Sequence, residues 1–129
     1  MKETKIKGVV KVKNRVNFIN RVSSFTILGD PGCDGLGVEI MTTFSKAMNC
    51  THADFKIILG DLVPFGLEEF YKHIYGIIND VSPNPVYTLC GNHDTDYYIT
   101  YFGLKNYILV NDNLLIVVLD NSKRILESG

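Results

Sequence analysis

The sequence predicts an α/β domain built on a mixed, largely parallel sheet with flanking helices. Three observations predict it. Apolar runs and helix-period runs alternate in the order strand, helix, strand, helix, strand, the pattern of βαβ units. The strand runs Phe25-Thr26-Ile27-Leu28, Ile57-Ile58-Leu59 and Val86-Tyr87-Thr88-Leu89-Cys90 are continuous rather than alternating, as in strands covered on both faces. Each run stops at a glycine, followed at once by residues with ligand-type side chains: Gly29-Asp30, Gly60-Asp61 and Gly91-Asn92-His93-Asp94.

Taken in order, Ile6 to Val12 carries partial period-2 alternation and is expected to form a strand or β-arm. Asn14 to Arg21 reads as polar and irregular. Ser24 to Leu28 is a short strand, followed by a loop dense in turn residues, Asp30-Pro31-Gly32-Cys33-Asp34-Gly35-Leu36-Gly37. Val38 to Met48 is a helix, with Ile40, Met41, Phe44, Ala47 and Met48 at helical spacing. Phe55 to Leu59 is the second strand. Leu67 to Val81 is the second helix, with Glu68 and Glu69 in its first turn, where the dipole favours negative charge. Its apolar face is Leu67, Phe70, Tyr71, Ile74, Ile77 and Ile78, and Ser82-Pro83-Asn84-Pro85 ends it. Val86 to Cys90 is the third strand. Thr95 to Phe102 is expected to be a short helix capped by Thr95 or Asp94, with Gly103 after its end. Tyr107 to Val110 and Leu114 to Leu119, separated by Asn111-Asp112-Asn113, read as a β-hairpin that adds to the sheet.

A chain of 129 residues fits one domain with a real core, and residues 1–129 are read as a single unit. With 13 Lys+Arg against 14 Asp+Glu and no basic run, the composition argues against a specific nucleic-acid patch or a polybasic membrane surface. Met1-Lys2-Glu3-Thr4-Lys5 has no apolar signal core, and no stretch approaches the roughly 20 apolar residues of a membrane span. Cys33, Cys50 and Cys90 lack CxxC spacing, so neither a disulfide framework nor a zinc knuckle is indicated. The expectation is a soluble cytoplasmic protein with reduced thiols and no membrane partner.

In open α/β sheets, ligands bind beyond the carboxyl ends of the strands. Asp30, Asp61, Asn92 and His93 each follow such an end, so neighbouring strands would gather them on one patch. Two carboxylates, an amide oxygen and an imidazole suit Mn, Fe, Zn or Mg. A carboxylate can bridge two ions about 3.5–4 Å apart, an arrangement that stabilises both oxygens of a phosphoryl transfer.

These residues carry a resemblance. Asp30, Gly60-Asp61 and Gly91-Asn92-His93-Asp94 resemble the first three motifs of the calcineurin-like metallophosphoesterases: Asp-x-His, Gly-Asp, then Gly-Asn-His-Asp/Glu. Tyr101-Phe102-Gly103 and the run from Leu115 to Asp120 resemble the course of such chains after the third motif. The resemblance implies the first half of an αββα sandwich and a dinuclear site of Mn, Fe or Zn. It makes Asp30, Asp61 and Asn92 metal ligands, Asp61 the bridging one. His93 becomes the residue that stabilises the transition state or protonates the leaving group, and Asp94 orients it. The implied reaction is hydrolysis of a phosphate mono- or diester by water activated at the metals. The implied substrate is a phosphorylated small molecule, a nucleotide or a phosphoprotein.

Two departures accompany the resemblance. Asp-x-His reads Asp30-Pro31-Gly32 here, so a metal histidine is missing. Purple acid phosphatases resemble this with Asp-x-Gly, but they supply a tyrosine where this chain has Pro64; Cys33 or Asp34 could stand in. The family's later histidine motifs are also absent, and His52 and His73 precede the third motif. The chain is therefore expected to be the N-terminal half of a catalytic domain. An uncovered sheet face, an exposed apolar patch and self-association should follow. The alternative is a non-catalytic derivative that uses the open face for a partner; a plain nucleotide-binding domain is a weaker third, since the loop from Gly29 to Gly37 matches neither GxGxxG nor GxxxxGK. Cys90 reads as a small buried hydrophobe, and Tyr97, Tyr98 and Tyr101 as core and interface residues.

Overall fold

The computed structural model describes residues 7–19, 24–29, 31–32, 37–50, 53–64, 66–91 and 94–120. Four parallel strands form the main sheet: β1 (Gly8–Val9), β3 (Phe25–Gly29), β4 (Phe55–Leu59) and β5 (Pro85–Leu89), in the order β1-β5-β4-β3. Between the last three lie α1 (Val38–Asn49) and α2 (Glu68–Val81), so the βαβ expectation holds. Gly29, Leu59 and Leu89 are in register, and the three strands end at one level.

Sequence pattern explains which face meets what. Phe44 and Met48 of α1, Tyr71, Ile74 and Ile78 of α2, and Tyr98 and Phe102 of α3 (Tyr97–Phe102) pack with Ile58 and Val86 in one core. Position by position, Phe55, Ile57 and Tyr87 point to the opposite face. There they meet Tyr107 and Leu109 of β6 (Tyr107–Val110) and Val118 of β7 (Leu115–Val118).

Those two strands do not extend the main sheet, as the hairpin reading expected. They form a second sheet, β2-β6-β7, packed face to face with the first. The third strand, β2 (Val16–Phe18), lies in the stretch read as irregular and runs parallel to β6, residue for residue from Val16↔Ile108 to Phe18↔Val110. The first strand is shorter than its alternation suggested, with Val12 making an isolated parallel bridge to Gly103. The main sheet's second face is therefore covered at β5 and β4 by this chain's own residues. Among the described strand residues, exposed apolar side chains cluster in two places: Phe25, Ile27 and Leu59 at the β3 side, and Val16, Phe18, Leu115 and Val117 on the outer face of the small sheet.

The expected cap of α3 is also corrected. The helix starts at Tyr97 behind Asp96, which makes no side-chain capping bond. Thr95 Oγ1 donates instead to the Gly66 carbonyl at 2.8 Å, and the Asp94 carboxylate is used elsewhere. Gly103 follows the helix as expected, with φ +89°. Among the described residues no helix is long and apolar enough to cross a membrane.

Candidate functional site

The site is built where β3, β4 and β5 end together. After Leu59 the chain turns through two consecutive residues in the left-handed region, Gly60 (φ +84°) and Asp61 (φ +44°). Aspartate tolerates that conformation better than most residues because its short polar side chain bonds locally. The turn carries Asp61 sideways over the end of β5. A Cβ at Gly91 would overlap both the Asp61 backbone nitrogen and its carboxylate, and a Cβ at Gly60 would lie 3.0 Å from the Gly91 Cα. The two glycines therefore let the second and third loops touch through bare backbone. The first loop joins them, because the Gly32 N–H donates to the Asp61 carbonyl at 2.8 Å.

Asp94 closes the third loop on itself. Its Oδ2 accepts the Gly91 N–H at 2.8 Å, and the Asp94 N–H donates back to the Gly91 carbonyl at 3.1 Å. Its Oδ1 accepts the Tyr71 hydroxyl at 2.8 Å. Burial pushes the Asp94 carboxyl up from its ordinary value. The N–H groups of Gly91 and Leu62 and the Tyr71 hydroxyl pull it back, and the nearby charge of Asp61 adds to the rise. Helical spacing makes Tyr71 one more apolar position on α2. Its ring is buried as expected, but its hydroxyl belongs to the site, a contact across 23 residues that helical periodicity cannot signal.

Of the residues the sequence singled out, Asp61 and Asp94 are described and stand on adjoining loops. Asp30, Asn92 and His93 lie outside the described residues, as do Cys33, Asp34 and His52. Pro64 is partly buried in the second loop, and His73 sits partly buried on α2. Among the described residues no three His, Cys, Asp or Glu side chains group as a metal site.

A model of the calcineurin-like phosphoesterase family matches residues 23–127. The chain belongs to that family. No curated protein matches it. The match to this phosphoesterase family runs from just before β3 to beyond β7 and so spans all three loops. It leaves β1 and β2 outside, although β2 completes the second sheet of this phosphoesterase domain.

Proposed function

We propose that this domain hydrolyses a phosphate mono- or diester with a pair of divalent ions, Mn, Fe or Zn. The observation that supports this reading is the seating of the Asp61 carboxylate over Gly91, at the level where three parallel strands end. Asp61 fits a metal role: it is a hard oxygen donor, held on a turned-out backbone over a position that only glycine leaves open. Asp30 and Asn92, matched by resemblance, would complete the oxygen donors. Bound divalent ions would lower the pKa of water and offset charge on the phosphoryl oxygens.

The chain's own side chains do the rest. Asp94 is a positioning residue, because its carboxylate ties the Gly91 end of the loop to α2 through Tyr71. His93, between those anchors in sequence, would protonate the leaving oxygen. The non-catalytic alternative draws support from Gly32, which stands at the family's first histidine position and contributes only a backbone N–H.

The test is hydrolysis of a chromogenic phosphate mono- and diester in Mn by the wild-type chain, Asp61→Asn and His93→Ala. Asparagine tolerates the left-handed backbone at residue 61, so Asp61→Asn should keep the fold and lose both activity and Mn binding. His93→Ala should keep Mn binding and lose turnover. A wild-type chain that binds no Mn and turns over neither ester would favour the non-catalytic reading.

A further inference from the structure

We infer that two copies of this chain associate through the edge strand β3, in an antiparallel two-fold pair that makes one continuous eight-stranded sheet. The inference is independent of the phosphoesterase reading. β3 ends the main sheet, and among the described residues no strand pairs with its outer side. Edge strands are commonly blunted by charge, proline or a bulge. Phe25-Thr26-Ile27-Leu28-Gly29 has no charge and no proline, and it pairs with Phe55–Leu59 one for one without a bulge. Its outward N–H and C=O groups are a template for another extended strand.

Both faces beside that edge are apolar and open. On the sandwich face Phe25 is 38% exposed and Ile27 54%. On the helix face a cleft of about 420 Å³ runs between the end of β3 and α1, lined by Leu28, Ile40, Phe44 and Ala47 together with Glu39 and Thr43. Ile40 is 48% exposed there, although its spacing placed it on the helix's core side.

Charge selects a second copy as the occupant. Glu39 and Lys46 are both exposed, seven residues apart on one line of α1, at its first and last turns. An antiparallel β3 pair centred near Ile27 has a two-fold axis that also reverses α1 against its mate. Glu39 of one copy then faces Lys46 of the other, twice, with Thr43 between them. An isologous contact requires this kind of self-complementarity. It also brings Ile27 against Ile27.

Sedimentation velocity of the full chain over a wide concentration range tests this. The expected result is a monomer–dimer equilibrium. Ile27→Lys should weaken it by about tenfold or more, equivalent to about 1.4 kcal/mol. Glu39→Lys and Lys46→Glu should each weaken it, and the double exchange Glu39→Lys/Lys46→Glu should restore it. All three positions are exposed, so circular dichroism melting should confirm intact folds. A monomer at every concentration would overturn the inference. So would a dimer that ignores Ile27→Lys but is lost on Phe18→Ser, which would move the contact to the small sheet. A double exchange that restores nothing would overturn the two-fold geometry.

Discussion

The Tyr71 hydroxyl donates to Asp94 Oδ1 at 2.8 Å, and the hydroxyl oxygen itself accepts the Thr95 backbone N–H at 3.0 Å. One phenol thus ties α2 to both residues that follow Gly91-Asn92-His93. Burial, and next the charge of Asp94, push its pKa far up, so the proton stays on the hydroxyl and the donation persists. Tyr71→Phe keeps the ring, which stacks on Tyr101 with centroids 6.2 Å apart, and removes only the oxygen. Asp94 then loses a donor and the Thr95 N–H an acceptor. The expected loss is about 1–3 kcal/mol in urea unfolding, with the slope of the transition unchanged. A change under about 0.5 kcal/mol would mean the contact does not hold the loop.

Gly91→Ala tests the bare-backbone contact between the second and third loops. Its Cβ would meet the Asp61 nitrogen and carboxylate, neither of which can move without disturbing the turn. Overpacking of this kind costs about 1–3 kcal/mol. Gly29→Ala is the matched control, because nothing lies within 4 Å of a Cβ there. Thermal melting should show a clear drop for Gly91→Ala and little for Gly29→Ala. Equal drops would show that the loss at Gly91 does not come from this contact, since a lowered chain entropy in the unfolded state would raise stability at both positions.

The parts of the fold that were legible are those specified by local pattern. Continuous apolar runs announced β3, β4 and β5, although only β4 and β5 are buried on both faces and β3 is a half-exposed edge, and helical periodicity announced α1 and α2 within a residue or so. β2 was hidden because Val16-Asn17-Phe18 is a short apolar pair around a polar residue, and its strand character comes from pairing with Ile108 to Val110, far along the chain. The assignment of β6 and β7 to a second sheet was hidden for a different reason. Leu115-Ile116-Val117-Val118 is apolar on both faces, so local sequence cannot say which sheet it joins. At the site, strand-ending glycines followed by ligand-type side chains marked where the loops would be. The engagement of Asp94 with Tyr71 depends on how α2 packs, and no motif states that.

Lys56 should give the protein a stability that rises in alkaline solution. It is 1% exposed in β4, with Nζ 2.8 Å from Asn84 Oδ1 and 3.3 Å from Ser82 Oγ. Burial lowers its pKa below the ordinary 10.5, against a smaller upward pull from Cys50. The folded state therefore releases this proton at lower pH than the unfolded chain does. Between the lowered value and 10.5 the unfolded state binds more protons, so stability rises with pH across that window. Lys56→Met keeps the aliphatic bulk and removes the titration. The wild-type advantage over Lys56→Met, measured by urea unfolding at successive pH values, should grow as pH climbs toward 10.5. A flat difference would show that Lys56 keeps its ordinary pKa in the fold.

Gly32→His tests the family correspondence at its weakest point. If Asp30 opens the family's first motif, Gly32 stands at its histidine position, and the Gly32 N–H is already bonded to the Asp61 carbonyl. Nothing lies within 4 Å of a Cβ built there, so a side chain can start without a clash. The backbone is less welcoming, because φ is +50° and a non-glycine residue in that region costs about 1–2 kcal/mol. Two opposing effects are expected: lower stability in the absence of metal, and tighter Mn or Zn binding. Gly32→Ala separates them, since it carries the same backbone strain without a ligand. Calorimetric titration should show tighter binding for Gly32→His than for Gly32→Ala. The gain should vanish when Asp61→Asn is added, because both residues would then serve the same ions. A Gly32→His chain that binds metal no better than Gly32→Ala would place the missing ligand elsewhere than at residue 32.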